Sequence, residues 1–290
     1  MALSRNGANF VNQYFIPEQF SKVVLTRYYS KGLLPNITNS KYQGELSGKG
    51  LGDTVHIRRE PVITVQDRDI NGVVNWTAVT DEEVPLTLDY NKVSTYKIAN
   101  EDKDHLFDID VQKMLLDAFS KKHEEVITET ILGSVYLSAT SSLTSTAWQT
   151  STNSTAHVAL AAATLSSLKI PQENRVLVVH PLAAQYLSQQ QSVWAQNAGA
   201  PVGSQITGYV GKYAGMTVFE SPLVPGAGTA ANPYKCIALH MDAIAMAANF
   251  RDVKTYELPE TLSLGMVAQS IFGFKVVQPD ALVYLPVQVS

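Results

Sequence analysis

The most regular pattern in the chain is an alternation of apolar and polar residues between Gly52 and Asp104. The alternation has a period of two over residues 53–59, gives way to a polar, turn-rich stretch at residues 66–72, and resumes from Val84 to Ile98. Two such runs separated by a turn are typical of a β-hairpin. The pattern therefore predicts one long two-stranded arm.

This arm carries many charges and few large apolar side chains, so we expect that it cannot bury itself. An isolated hairpin of this length is only marginally stable in water. The simplest hypothesis is that the arm lies on another chain. Assembly is therefore the first function that the sequence suggests.

The longest helical pattern runs from Asp108 to Leu137, and a helix of that length spans roughly 45 Å at 1.5 Å per residue. Its apolar residues recur along one side: Val111, Leu115, Phe119, Val126, Ile131 and Val135. A shorter amphipathic segment, Pro17–Tyr29, precedes the hairpin. We expect the residues before the hairpin to form an arm rather than a domain.

A Ser- and Thr-rich stretch at residues 138–155, interrupted by Leu143 and Trp148, is predicted to be a surface boundary. The elements predicted after it are a helix over 156–168, a buried central strand over 175–179, a helix over 181–190, a glycine-rich strand pair and a further buried strand. This order is typical of a compact α+β domain. The last forty residues alternate again, and we expect them to return to the sheet beside the long helix.

Several segments carry a family resemblance through their order and spacing. They are Gly52–Arg59 with Leu88–Lys92 and Tyr96–Asp102, then Gly208–Ser221, and finally Ile271–Leu285. In that order they resemble the extended loop and its following strand, the glycine-spaced strand pair and the closing strands of tailed-phage major capsid proteins with the Hong Kong 97-like fold.

The resemblance implies an α+β capsid fold with four parts. These are an N-terminal arm at 1–52, an extended β-hairpin loop at 53–92, a peripheral domain with a long spine helix at 93–155 and 250–290, and an axial domain at 156–249. The loop residues expected to contact a neighbouring subunit are Arg58, Arg59, Asp67, Arg68, Asp69 and Trp76. Gly208, Gly211 and Gly215 are predicted to form turns of the axial domain.

Composition adds limits to this interpretation. The 290 residues are 45% hydrophobic, which suits a folded core, and the net charge of −4 does not indicate a dedicated nucleic-acid binder. The single cysteine, Cys236, lies in an apolar run and is predicted to be a small buried hydrophobe. No signal-peptide core or membrane-length apolar run is present, so we expect the product to stay in the cytoplasm where it is translated.

No motif indicates catalysis, a cofactor or a metal. The six histidines lack metal-ligand spacing, and His123 with Glu124 and Glu125 is interpreted as a solvated helix face. Residues 48–52 lack the spacing and ending of a phosphate-binding loop, and no Gly-x-Ser-x-Gly motif occurs. We therefore expect no catalytic, cofactor-binding or metal-binding residues, and an enzyme or binding module is the least supported class.

The hypothesis that best fits the sequence is a major capsid protein, a structural protein of the bacteriophage virion. Copies would self-assemble as pentamers and hexamers into an icosahedral shell around double-stranded DNA, with no sequence-specific binding of that DNA and no membrane partner. A separate scaffolding protein and a portal are the other expected partners. Some members of the family cross-link through a lysine in the extended loop, but none lies between Lys49 and Lys92, so the shell is expected to be held non-covalently.

One alternative shares the fold. An encapsulin-type compartment would enclose an enzyme rather than DNA, and the sequence does not separate the two.

Overall fold

A computed structural model describes residues 33–42, 50–59, 65, 83–98, 109–149, 151–189, 209–258 and 263–289. Its helices are α1 (Leu34–Ile37), α2 (Ile109–Val135), α3 (Ser151–Ser167) and α4 (Pro181–Ser188). Its strands are β1 (Thr54–Arg58), β2 (Glu83–Thr87), β3 (Tyr90–Ile98), β4 (Ser141–Ser142), β5 (Thr146–Ala147), β6 (Arg175–Val179), β7 (Tyr209–Tyr213), β8 (Met216–Glu220), β9 (Tyr234–His240), β10 (Ile244–Leu258), β11 (Ser263–Val276) and β12 (Leu282–Gln288).

These strands form three sheets in the described part of the chain. β1 and β2 make an antiparallel pair, and β10, β11 and β3 make an antiparallel sheet in that order. The third sheet has the order β4-β12-β9-β6-β8-β7, with β5 also pairing with β12. The protein therefore has a mixed α and β fold in which one small and one large sheet each pack against helices.

The second run of the predicted hairpin does not continue to Ile98 as one strand. β2, which pairs with β1, ends at Thr87. The next strand, β3, pairs with β11 over nine residues. At the break, the Leu88 amide donates to the Asp53 carbonyl and the Thr87 hydroxyl donates to the Asp89 carboxylate at 2.6 Å. A period of two identifies a strand but not its partner, so the sequence pattern merged two strands into one.

The long helix α2 is confirmed, and its 27 residues span about 40 Å. Within residues 121–135 its buried side chains are His123, Ile127, Thr128, Ile131, Leu132 and Val135. Ile131 and Val135 are among the predicted core residues, whereas Val126 is only half-buried. Two of the three predicted apolar residues in this half of α2 are therefore buried, and the buried stripe also includes Ile127 and Leu132.

The Ser- and Thr-rich stretch is more ordered than predicted. Helix α3 begins at Ser151 rather than Ala156, and residues 141–147 supply β4 and β5, both parallel to β12. Trp148 is fully buried in the main core. Apart from Trp148, residues 138–149 are exposed or half-buried, as predicted for a surface stretch, and the domain boundary there stays a prediction.

The large sheet is built around β6, whose five residues are all buried, as predicted for a central strand. β6 pairs in parallel with β8 and antiparallel with β9. β12 pairs antiparallel with β9, so the last strand joins this sheet. Leu282–Gln288 shares its buried cluster with Ile131 and Val135 of α2, and its nearly continuous apolar run suits a strand buried on both faces.

The C-terminal end of α3 is fixed by Arg175, which is buried at the start of β6. Its guanidinium donates to the carbonyls of Pro171, Ile170 and Ala162 and to the Ser166 hydroxyl, at 2.6–3.2 Å. Burial lowers the pKa of Arg175, but a cation among the last carbonyls of a helix is favourably placed. Arg175 therefore links α3 to β6, a role that its position at the start of a predicted strand does not reveal.

Candidate functional site

The residues predicted to contact a neighbouring subunit divide between described and undescribed parts of the chain. Arg58 ends β1, and Arg59 follows it. Asp67, Arg68, Asp69, Trp76 and Gly208 lie outside the described residues. The structure therefore describes the base of the predicted extended loop, and the role of its tip stays a prediction.

The apolar face of this base is buried by its own chain. It consists of four side chains with at most 1% exposure: Val55, Ile57, Leu86 and Leu88. They form one cluster with Ala245, Ala247 and Ile271 of the three-stranded sheet. The prediction that the arm cannot bury itself is therefore wrong for its base, because two alanines on β10 make a floor that a search for large apolar residues overlooks.

The opposite face of the base is polar and exposed. His56 Nδ1 lies 3.2 Å from Glu83 Oε2, and Arg58 stands directly opposite Glu83 in the register of β1 and β2. Arg58 and Glu83 are both exposed. Exposed ion pairs contribute only about 0–1 kcal/mol each, so these charges are not required to hold the hairpin together. They remain available for contacts outside the subunit.

The other face of the three-stranded sheet meets α2 through a buried histidine. Ser94 Oγ of β3 lies 2.6 Å from His123 Nε2, and Ser270 Oγ of β11 lies 3.0 Å from His123 Nδ1. Because Ser270 Oγ donates to the Lys92 carbonyl at 3.4 Å, His123 Nδ1–H donates to Ser270 and Nε2 accepts from Ser94. Burial lowers the pKa of His123, which favours this neutral ring.

The interpretation of His123 as part of a solvated face is therefore wrong. The two glutamates that follow His123 indicated an exposed helix face. Because a helix turns about 100° per residue, however, adjacent residues can lie on opposite faces of it. Glu125 does face solvent, where it pairs with Lys122 at 2.8 Å. A small polar residue within an otherwise regular strand, as at Ser94 and Ser270, is the sequence signal that could have located this contact between α2 and the three-stranded sheet.

The predicted glycine turns lie at one end of the large sheet. Ala214 and Gly215, with φ of 50° and 78°, form the two-residue connection between β7 and β8. Two positive φ angles in such a loop are typical of a type I′ turn, whose twist suits an antiparallel pair. Gly211 has a φ of 150° and lies where the register of β7 and β8 shifts. These positions are explained by backbone geometry alone.

Candidate chemistry is limited in the described part of the chain. No group of three or more His, Cys, Asp or Glu side chains there could hold a metal ion. Cys236 is fully buried, as predicted, and burial raises the pKa of its thiol to about 12, so it is protonated at neutral pH. None of the described helices is long and apolar enough to cross a membrane.

No protein-family model matches this sequence, and no curated protein sequence does either. Solved structures do match across most of the chain. A structure from Mycobacterium phage Che8 is 21% identical with a TM-score of 0.66, covering 87% of this chain and 90% of that one. The capsid of Ralstonia phage GP4 is 11% identical with a TM-score of 0.62, and 87% of each chain is covered.

A virus-like particle from Pyrococcus furiosus is also similar. It is 15% identical with a TM-score of 0.55, covering 94% of this chain and 99% of that one. The chain thus has the fold of tailed-phage capsid proteins, as the sequence resemblance implied. The division into an arm, an extended loop and two domains stays a prediction.

Proposed function

We propose that this chain is a phage major capsid protein, whose copies assemble as pentamers and hexamers into an icosahedral shell around double-stranded DNA. The observation that carries the proposal is the capsid fold, which extends over 87% of the chain in the match to the Che8 structure. Its place would be the virion capsid, with assembly in the host cytoplasm.

The described elements suit the roles of the predicted parts. β1 and β2 form the base of an extended loop at 53–92, which is anchored through its apolar face to the three-stranded sheet of a peripheral domain. In this proposal the axial domain consists of α3, α4 and the large sheet, which includes β12. A loop fixed at its base and polar on its free face is suited to reach a neighbouring subunit.

Contacts between subunits would therefore involve the polar face and the tip of the loop. Arg58 and Arg59 lie at the point where the described base ends, and Asp67, Arg68, Asp69 and Trp76 follow in the tip. Individual exposed charge pairs are weak, but a closed shell repeats each contact many times. Many weak contacts would give a stable shell whose subunits can still adjust during assembly.

The expected partners follow from charge and from the fold. With a net charge of −4, the chain is unsuited to hold DNA tightly, which suits a wall around a genome that must move in and out. Scaffolding and portal proteins would be separate gene products.

A second candidate is a protein compartment of the encapsulin type. The observation that favours it is the similarity to the Pyrococcus furiosus particle, of which 99% is covered. Such a shell would share the fold and the subunit contacts but enclose protein instead of DNA.

Electron microscopy of the purified protein, alone and co-expressed with its neighbouring gene products, tests the proposal. We expect closed icosahedral particles, and after packaging we expect them to contain nuclease-resistant double-stranded DNA. Particles that contain a co-expressed enzyme and no DNA would favour the compartment. A protein that stays monomeric under all of these conditions would contradict both. A variant with residues 66–79 replaced by a short Gly-Ser turn is the matched control, expected to fold and to assemble poorly.

A further inference from the structure

In the described core, a hydrogen bond joins the indole of Trp148 to the imidazole of His157. Trp148 Nε1 donates to His157 Nδ1 at 3.1 Å, and the two rings meet edge to face with centroids 6.1 Å apart. Trp148 is fully buried and His157 is 5% exposed. The pair fastens the segment before α3 to α3 itself.

This hydrogen bond fixes the protonation state of the histidine. The indole N–H is a donor only, so His157 Nδ1 has to be an unprotonated acceptor and Nε2 carries the ring proton. Protonation of His157 would place a hydrogen on Nδ1, directly opposite the indole N–H. The bond to Trp148 cannot survive that change, because two donors would then face each other.

No Asp or Glu belongs to α3 or to the described elements that pack most closely on it. The sequence has no Asp, Glu, Lys or Arg from Thr130 to Leu168, which includes all of α3 and the segment before it. The elements that pack most closely on α3 are β5, β12 and α4, whose ionisable side chains are the phenols of Tyr284 and Tyr186. From β7, the Tyr213 hydroxyl donates to the Thr155 carbonyl at 3.5 Å. Phenols are neutral at the pH values concerned, so a buried imidazolium would have no counter-charge.

Within the described part of the chain, His157 Nε2 is buried and has no hydrogen-bond partner. A charged ring would therefore lose its solvation without gaining an acceptor on that side. Burial accordingly lowers the pKa of His157 below its ordinary value of about 6.5.

The Trp148–His157 bond holds the connection between α2 and α3. Residues 139–149 connect α2 to α3 and lie along β12, where they form the edge of the large sheet. The Trp148 amide donates to the Gln288 carbonyl at 2.9 Å, and the Leu143 amide donates to the Tyr284 carbonyl at 3.0 Å. β4 and β5 have only two residues each, and the fully buried indole adds an apolar anchor to these hydrogen bonds.

We propose that the Trp148–His157 pair is an acid-sensitive latch, in which protonation of His157 releases residues 139–149 from the edge of the large sheet. The sign of the pH dependence follows from linkage. The latched state is fully stable above the pKa of the free histidine, about 6.5, and loses stability as the pH falls toward the lower pKa of the buried ring. Within that window the released population rises about tenfold per pH unit.

His123 does not meet the same requirement for a latch. Both of its ring nitrogens face serine hydroxyls, which can accept as well as donate, so a protonated ring keeps two acceptors after one hydroxyl rotates. The charged residues adjoining His123 are Lys122 and Glu124 on α2 and Lys92 on β3, whose carbonyl accepts from Ser270. The adjacent stretch of β11, Ser270–Phe274, has no ionisable side chain. The latch is therefore specific to the pair in which the partner is a donor only.

The test uses the fluorescence of Trp148 in the full chain, with Trp76→Phe and Trp194→Phe to remove the other two tryptophans. Between pH 8 and pH 4.5 we expect a reversible fall in Trp148 emission with a midpoint below 6.5, while circular dichroism stays constant. His157→Asn places a non-titrating amide oxygen where Nδ1 lies, and it should abolish the transition. His56→Asn, at an exposed histidine, is the matched control and should leave the transition unchanged.

A transition that persists unchanged in His157→Asn, or an emission that stays constant to pH 4.5 in folded protein, would overturn the latch. Hydrogen exchange of the unmodified chain decides the matter if the asparagine variant does not fold. Protection should then fall at residues 139–149 on acidification before it falls in β6, and a uniform loss of protection would contradict the proposal. None of these measurements depends on shell formation, so the latch and the capsid assignment can fail independently.

Discussion

Gly273 of β11 lies directly against the backbone of Thr87, at the end of β2. A Cβ built on Gly273 would meet the Thr87 carbonyl group and would lie 3.1 Å from the Leu88 Cα. These neighbours are backbone atoms, which cannot move aside as a flexible side chain can. The absence of a side chain at residue 273 therefore lets the base of the extended loop settle on the three-stranded sheet.

Replacing Gly273 by alanine should destabilise the protein by about 1–3 kcal/mol, the usual range for overpacking a well-packed site. The strands would have to separate, and the cluster that contains Val55 and Ala247 would loosen. Denaturant unfolding measures the effect. Gly133→Ala in α2 is the matched control, because a Cβ there meets nothing within 4 Å and alanine is favoured over glycine in a helix by up to about 1 kcal/mol. Equal stabilities of the two variants would show that the close approach is not maintained in solution.

The turn between β7 and β8 gives a prediction with opposite signs at adjacent residues. Gly215→Val should destabilise by roughly 1 kcal/mol or more, because a β-branched side chain disfavours a φ of 78° even though the space around it is open. Ala214→Asn should be neutral or stabilising, since Asn-Gly is the preferred sequence of a type I′ turn. Thermal melting of both variants checks this pair, and a Gly215→Val protein as stable as the parent would exclude the turn.

The outcome at particular residues shows what the sequence could and could not predict. The four apolar residues of β6, Val176–Val179, and the long helix α2 were recognisable because each pattern is local and extends over several residues. His123 was misplaced because its burial depends on two serines that are 29 and 147 residues away along the chain. Trp148 was missed for a similar reason: its partner β12 lies at the other end of the sequence.

The candidate site divides in the same way. Local alternation located β1 and β2, but the partner of a strand is decided by long-range pairing that no single-sequence pattern encodes. The surface under the loop is formed by the small residues Ala245, Ala247 and Gly273. Their sequence pattern does not show that another strand pair packs against them.

Removing the Ser270 hydroxyl should weaken the joint between α2 and the three-stranded sheet. In Ser270→Ala the donor His123 Nδ1–H loses its acceptor in a fully buried position, which costs about 1–3 kcal/mol. Ser94→Ala should have a smaller effect, because Ser94 is only half-buried and water can donate to Nε2 in its place. Urea denaturation at pH 7.5 compares the two variants. A larger loss of stability in Ser94→Ala would mean that His123 donates to Ser94 and accepts from Ser270.

Arg58 gives a prediction about assembly that can be separated from strand pairing. Arg58→Glu places a second carboxylate directly opposite Glu83, and like charges at that position disfavour the pair by about 0.2–1 kcal/mol. The double variant Arg58→Glu with Glu83→Arg restores opposite charges across β1 and β2. If Arg58 contacts a neighbouring subunit, the double variant should still assemble poorly although its thermal stability returns to that of the parent.

Particle yield by sedimentation, measured beside thermal melting, distinguishes the two roles. The expected result is a low yield for both the single and the double variant, together with a parent protein whose assembly weakens at high salt, since salt screens exposed charges. Recovery of full particle yield in the double variant would show that Arg58 acts only within the hairpin of its own chain and does not contact a neighbouring subunit. The contacts between subunits would then have to come from the tip, because the apolar side of the base is already buried against β10 and β11.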